Sequence, residues 1–218
     1  MPIPSIRPYP LPSHGELPES KVRWTPSSDR AVLLIHDMQS YFVTTFAVDQ
    51  SPVPELVDNV ATLKRTCADR GVPVVYTAQP GSMSKEDRGL LLDMWGPGME
   101  RTEGNTSVIP ELAPSDEDTV LTKWRYSAFF RSGLEDLLRD QGRDQLIVSG
   151  VYAHIGCLMT ALDAFSRDIE VFFVADAVAA FSRPDHDQAL SYVARNCGVV
   201  LTTEALRDVL SPMRVGAN

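Results

Sequence analysis

The chain is poor in cysteine, in positive charge and in long apolar runs, and each shortage removes a class of protein. Only three cysteines occur among 218 residues. Cys67, Cys157 and Cys197 are odd in number and widely spaced, so they form neither a disulfide framework nor a Cys-x-x-Cys metal site, and a reducing compartment fits. Twenty Lys plus Arg stand against 29 Asp plus Glu, a formal net charge of −9. No basic stripe is present to track a phosphate backbone, so nucleic acid is not expected as a partner. An anionic substrate stays open, because a few cations gathered in a cleft can make the local potential positive. The longest apolar stretches, such as 31–35 and 171–175, fall far short of the roughly 18 residues of a membrane helix. Residues 1–12 have no apolar signal-peptide core either, so no membrane partner is expected and the cytoplasm is the expected location.

What is present is an ordinary globular composition, 44% hydrophobic and 22% charged. Its length suits one core, since single α/β domains reach roughly 250 residues before cores divide. Residues 1–30 hold seven prolines, Pro2, Pro4, Pro8, Pro10, Pro12, Pro18 and Pro26, too many for a helix or a central strand, and are expected to form an arm laid over the surface. From residue 31 short apolar runs alternate with helical periodicity, the pattern of βαβ units closing a parallel sheet. Six strands are predicted, at 31–37, 72–77, 119–122, 145–150, 170–175 and 199–202. Between them, Leu56, Val60, Leu63 and Cys67 mark a helix stopping near Gly71. A short helix is expected over 90–94, and another from a Ser132 N-cap to before Gly142. A further helix over 155–168 carries Leu158, Ala161, Leu162 and Phe165 on one face. One over 185–196 carries Ala189, Val193 and Asn196, and about two helical turns end the chain.

Open parallel sheets bind ligands beyond the carboxyl ends of their strands, near the point where strand order reverses. That rule selects Asp37 after the first strand, Gln79 after the second, Lys123 after the third and the 150–156 turn after the fourth. Around Lys123, the residues Trp124, Tyr126, Phe129 and Phe130 interleave with Lys123 and Arg125, which suits an anionic ring. Taken singly, each aromatic reads as well as core, Asp37 as a turn cap and Arg125 as a surface ion pair. Strand alternation turns His36 to the face opposite Asp37, into core packing or a supporting hydrogen bond. His14 and His186 are expected on the surface, and His154 is ambiguous. The Asn105-Thr106-Ser107 sequon is a chance match in a chain with no secretion signal.

Six segments carry a specific resemblance across nearly the whole chain: LLIHDMQSYF at 33–42, YTAQPGS at 76–82, DRGLLLDMWGPGM at 87–99, LTKWRYSAF at 121–129, GVYAHIGCLMTALDAF at 150–165 and VADAVAAFS at 174–182. With these the chain resembles the isochorismatases. The resemblance implies a Rossmann-like three-layer αβα fold with a six-stranded, mostly parallel sheet over residues 31–210, then a tail at 211–218. It also implies a homodimer; siderophore isochorismatases often carry a C-terminal aryl carrier domain, and as this chain ends at Asn218 without one, a stand-alone enzyme is expected. In the cysteine hydrolases of the same superfamily the nucleophile stands seven residues before the Asp and eight before the Ala of the TALDA-like motif, and Gly156 occupies that slot here. Cys157 is one residue late, which on a helix turns a side chain about 100° away. The metal-binding Asp and His of nicotinamidases have no match in YTAQPGS, so neither metal nor cofactor is implied.

What the resemblance implies is hydrolysis of the vinyl ether of isochorismate, giving 2,3-dihydro-2,3-dihydroxybenzoate and pyruvate without an acyl-enzyme. Asp37, Lys123 and Gly156 are the implied catalytic positions, with Asp37 the general acid. Arg88 and Lys123 would receive the carboxylates of a small dicarboxylate substrate, with Gln79, Tyr152 and the Gly156 backbone N–H as neutral donors. Phe42, Trp95, Tyr126 and Phe129 are the implied walls, although the segment at Trp95 suits a subunit contact equally. The nearest alternative is the same chemistry on 2-amino-2-deoxyisochorismate, which yields trans-2,3-dihydro-3-hydroxyanthranilate in phenazine-type pathways. An inactive scaffold needs Asp37, Lys123 or Arg88 missing, and a cysteine amidase needs Cys157 to reach the site.

Overall fold

A computed structural model describes residues 3–210, so the tail expected at 211–218 lies outside the described residues. Six parallel strands form one sheet: β1 (Ala31–His36), β2 (Val74–Ala78), β3 (Thr119–Thr122), β4 (Gln145–Val151), β5 (Glu170–Ala179) and β6 (Gly198–Leu201). Their spatial order is β3-β2-β1-β4-β5-β6, parallel at every pairing. The order reverses between β1 and β4, which places the ligand-binding crevice of such sheets beyond the ends of these two strands. β1 is continuously apolar because both of its faces are covered. Leu33 and Ile35 enter one core cluster and Val32 and Leu34 the other.

The first cluster is closed by α1 (Val53–Asp69) and α5 (Thr203–Leu210). The stripe Leu56, Val60, Leu63 and Cys67 is fully buried, each leucine contributing about 1.5–3 kcal/mol over exposure. The opposite cluster is closed by α2 (Leu134–Asp140), α3 (Leu158–Phe165) and α4 (Arg183–Asn196). Three layers result, and no helix among the described residues is long and apolar enough to cross a membrane.

Several local expectations need correction. α2 has Gly133 as its N-cap, in the left-handed region, while Ser132 stands one residue earlier and accepts the Leu134 N–H at 3.2 Å. α3 begins only at Leu158, because 153–157 form a π-type turn, and its inner face carries Ala164 while Phe165 is 43% exposed. On α4, Leu190 and Ala194 join Ala189 and Val193 inside, whereas Asn196 is exposed and donates to the Tyr192 carbonyl. β5 runs four residues further than its apolar run at 170–175 suggested. Gly150 makes the close approach of β4 to β1 possible: its φ is +102° and a Cβ there would lie 2.2 Å from the His36 carbonyl oxygen.

His186 is buried rather than on the surface, and it holds the N-terminal segment down. Its Nε2 faces the Ala175 carbonyl at 2.9 Å, an acceptor only, so Nδ1 is bare and accepts the Tyr9 hydroxyl at 3.2 Å. Ala180 N–H donates in turn to Tyr9 Oη at 2.7 Å. Tyr9→Phe strands two buried polar groups. Urea unfolding is expected to show a loss of about 1–3 kcal/mol, and no loss would mean that this clamp is not a stabilising contact.

Candidate active site

Four strand ends deliver the site. β1 ends at His36, and Asp37 follows at φ +48°, a conformation that stops the strand and turns its carboxylate over the sheet edge. Thr77, paired with His36 in the β1–β2 register, donates its hydroxyl to Asp37 Oδ1 at 2.7 Å. Lys123, just past β3, donates Nζ–H to Asp37 Oδ2 at 2.9 Å, and both side chains are almost wholly out of solvent, 2% and 5% exposed. Gln79, just past β2, bridges this pair to a second cation. Its Nε2 donates to Asp37 Oδ2 at 3.3 Å and its Oε1 accepts Arg88 Nη1 at 3.3 Å.

Arg88 lies on a single helical turn, Lys85–Arg88, capped by the Ser84 hydroxyl. It is 6% exposed, donates Nε–H to the Gly96 carbonyl at 2.9 Å, and forms no ion pair among the described residues. Burial pulls its guanidinium below its ordinary value, and an unneutralised cation of this kind is a seat for a carboxylate. Burial also pushes Asp37 upward, but the adjoining Lys123 charge, His36 and the Lys123 and Thr77 hydrogen bonds prevail and hold it below the usual carboxylate value. The unliganded site therefore carries Asp37 ionised.

The cavity over this network is lined by nine of the ten residues singled out from the sequence: Asp37, Phe42, Gln79, Arg88, Trp95, Lys123, Tyr126, Tyr152 and Gly156. Phe129 is not among them. It points into the core cluster under α3, and the Arg167 guanidinium covers its ring at 5.1 Å. Tyr152 lines the cavity with its ring only, because its hydroxyl contacts the Phe42 carbonyl and Thr45 Oγ1, each at 2.9 Å. The expected donor role of that hydroxyl does not fit this geometry. Trp95 is fixed by Nε1–H donation to Tyr126 Oη at 2.8 Å and by an edge contact with Phe181 at 6.0 Å.

Sequence reasoning missed Phe181, Tyr41, Met99 and His36 on the wall. Phe181 arrives because β5 continues to Ala179, and the VADAVAAFS segment was the available signal. His36 was assigned to the opposite face, but Asp37 lies outside the strand, so alternation fails there. His36 Nδ1 lies 3.9 Å from Asp37 Oδ2 and 2.7 Å from the Val151 carbonyl. Gly156 sits in the π-type turn 153–157, and Cys157 points away into the second core cluster, where burial raises its thiol well above the ordinary value. Among the described residues no group of three or more His, Cys, Asp or Glu is arranged to hold a metal ion.

A parallel sheet with this crevice is the scaffold of isochorismatase-like hydrolases. A cysteine hydrolase from Pseudomonas syringae pv. phaseolicola 1448A superposes with a TM-score of 0.78 at 25% identity, over 86% of this chain and 95% of that one. Residues 31–205 match the family model described as the Isochorismatase domain. An isochorismatase of Bacillus subtilis (strain 168) is 54% identical over 210 residues, covering 96% of this chain and 67% of the relative. The phenazine biosynthesis protein PhzD1 of Pseudomonas aeruginosa is 51% identical over 94% of this chain and 99% of its own length. The chain belongs to the isochorismatase family.

Lys123→Met leaves Asp37 buried without its cation, so burial then raises the carboxyl above its ordinary value. The variant is expected to lose about 3–5 kcal/mol at neutral pH. The deficit narrows as pH falls, because a raised folded-state pKa removes stability progressively as pH climbs from the unfolded-state value to the folded-state one, and none is removed below the former. A pH-independent deficit in denaturant titrations would contradict this coupling.

Proposed function

We propose that the protein is an isochorismatase, hydrolysing the vinyl ether of isochorismate to 2,3-dihydro-2,3-dihydroxybenzoate and pyruvate with no covalent intermediate. The observation that carries this reading is the buried Asp37–Lys123 pair joined through Gln79 to the unpaired Arg88, inside an aromatic cavity. An acid beside two cations matches a substrate that is a dianion and must be protonated at carbon. Position 156, where a nucleophile would stand in related hydrolases, is glycine.

In this reading Arg88 and Lys123 receive the two carboxylates, and the Gly156 N–H is a further donor. Phe42, Trp95, Tyr126 and the Tyr152 ring enclose the cyclohexadiene and exclude water. Bringing two negative charges beside Asp37 while removing water raises its proton affinity, so the substrate loads the acid. Asp37 then protonates the terminal vinyl carbon, and water captures the oxocarbenium ion as a hemiketal that collapses to pyruvate. A homodimer in the cytoplasm, acting without a cofactor, completes the proposal on the strength of the family resemblance.

A second substrate, 2-amino-2-deoxyisochorismate, undergoes the same chemistry and is favoured by the likeness to the phenazine biosynthesis protein. Offering both compounds to the purified protein, with pyruvate assayed enzymatically and the ring product weighed, decides between them; release from neither rejects the reading. Asp37→Asn is expected to lower pyruvate release by about 10²- to 10⁴-fold, and wild-type turnover in that variant would remove Asp37 as the acid. Since Asp37 is ionised in the free enzyme, kcat/KM should fall as pH rises from about 5 to about 9. The kcat should hold to higher pH, because the acid's pKa is raised in the complex. A flat kcat/KM over that range would count against the scheme.

A further inference from the structure

Among the described residues Arg125 does not form the surface ion pair that its place in the sequence suggested, and the nearby Asp87 carboxylate turns to Arg131 at 4.0 Å. Its Nη1 donates instead to two main-chain carbonyls, those of Asp87 and Trp124, the second at 2.7 Å. The guanidinium carbon lies 5.2 Å from the centre of the Phe130 ring. Nη2 rests against Gly89, where a Cβ would come within 2.5 Å of it. Gly89 has φ +51°, so the residue that stops the Lys85–Arg88 turn also leaves room for the guanidinium.

The two carbonyls belong to opposite sides of the site. That of Asp87 directly precedes Arg88 and is one of those a single helical turn leaves without an internal partner. Trp124 directly follows Lys123, whose N–H is fixed to the end of β2 by the Ala78 carbonyl at 2.9 Å. One guanidinium nitrogen therefore ties the Arg88 turn, too short to be stable alone, to the end of the sheet. The bonds of Arg88 to the Gly96 carbonyl and to Gln79 orient its side chain, whereas Arg125 holds the main chain that carries it against the Lys123 segment. Burial lowers the proton affinity of Arg88, and the charge of Arg125 lowers it further. Two guanidinium groups near each other, neither paired with a carboxylate among the described residues, form an arrangement that a bound anion relieves.

We propose that Arg125 is a positioning residue for a dicarboxylate: by bracing the Asp87 carbonyl against the Trp124 carbonyl it sets the spacing of the Arg88 guanidinium and the Lys123 ammonium, and so favours anions with two carboxylates at that spacing. The proposal rests on the functional reading above, which makes Arg88 and Lys123 the two carboxylate seats. Arg125 acts through them, since it stands outside the cavity wall. A planar guanidinium, whose donors keep a fixed geometry, suits a brace better than an ammonium on a flexible stem. Engaging both ends of one molecule at once gains far more than engaging either alone, but only while the two seats hold their separation.

The test compares two unreactive probes by calorimetric titration: the dianion 3-(carboxymethoxy)benzoate, with one carboxylate on the ring and one on the ether arm, and the monoanion 3-methoxybenzoate. The wild type is expected to bind the dianion more tightly. Arg125→Met removes brace and charge together. It should lower the dianion-to-monoanion affinity ratio by about tenfold, the effect of one misplaced charge-assisted hydrogen bond. It should also raise KM for isochorismate by a similar factor while kcat changes by less than about threefold, because Asp37 and Lys123 keep their strand ends. Arg125→Lys restores the charge without the planar fork, so both affinities should recover while the ratio stays below that of the wild type. Gly89→Ala crowds Nη2 with the arginine still present and should lower the ratio as well. An unchanged ratio in a folded Arg125→Met would overturn the proposal, and so would an equal loss for both probes, which is what a charge acting at long range produces. Should that variant not fold, wild-type ratios in Arg125→Lys and Gly89→Ala would overturn it, and lowered ratios would support it. A wild type without preference for the dianion also overturns it. If the wild type prefers the dianion but releases no pyruvate, the vinyl-ether reading fails and the bracing role stands.

Discussion

The contact on which the rest depends is the 2.9 Å pairing of Asp37 with Lys123, two full charges removed from water at the edge of the sheet. Such a pair is tolerated only where further hydrogen bonds answer what desolvation removes. Thr77 and Gln79 supply them, each from the end of the neighbouring strand β2. Asp37 follows β1 and Lys123 follows β3, with β2 between them. The pair therefore spans three strands, and a register slip on either side would break it. Charge pairing at the crevice and apolar burial beneath it enforce the same alignment, which ties the integrity of the site to that of the core.

That coupling explains how much could be read from the residues alone. The strand-end positions of Asp37 and Gln79 follow from apolar runs that stop abruptly at polar residues, as strands buried on both faces require, whereas Lys123 follows the short, half-exposed edge strand β3, legible only from its β-branched residues. The π-type turn at 153–157 escaped because Ala-His-Ile-Gly-Cys carries no local signal that separates it from an ordinary first helical turn. Phe129 misled for a related reason. An aromatic next to a site segment packs as readily beneath the strand ends as above them, and only the path of the chain decides. His186 looked like a surface residue because its helix is rich in charge, but it points inward from that helix. Tertiary contacts settle such cases, and they are invisible in local periodicity.

The polar network and the aromatic wall divide the work of the cavity. Arg88 and Trp95 sit on two short helical turns that cover the strand ends, tied down by the Gly96 carbonyl and by Tyr126. Neither turn is long enough to be stable alone, so their hold on the site is tertiary. The strand ends are rigid by contrast, being part of the sheet. Charge is therefore set on the rigid half, while the guanidinium and the indole come from a half held by few bonds. The two halves of the crevice are thus restrained to different degrees, the charge pair by the sheet and the upper wall by a few side-chain contacts.

The segment before β1 has a bearing on when the cavity exists at all. Ile3 forms part of its wall, and Tyr9, six residues on, is fastened to Ala180, 171 positions further along the chain. A ribosome emits the first partner long before the second. Throughout that interval the backbone of Ile6 and Tyr9 can reach Thr45 and Ser51, but the Tyr9 hydroxyl lacks Ala180 and the crevice lacks Phe181. Assembly of the pocket thus waits on the end of β5, so a polypeptide that stops short of it can hold β1 to β4 and still have no complete chamber in which to bind a substrate.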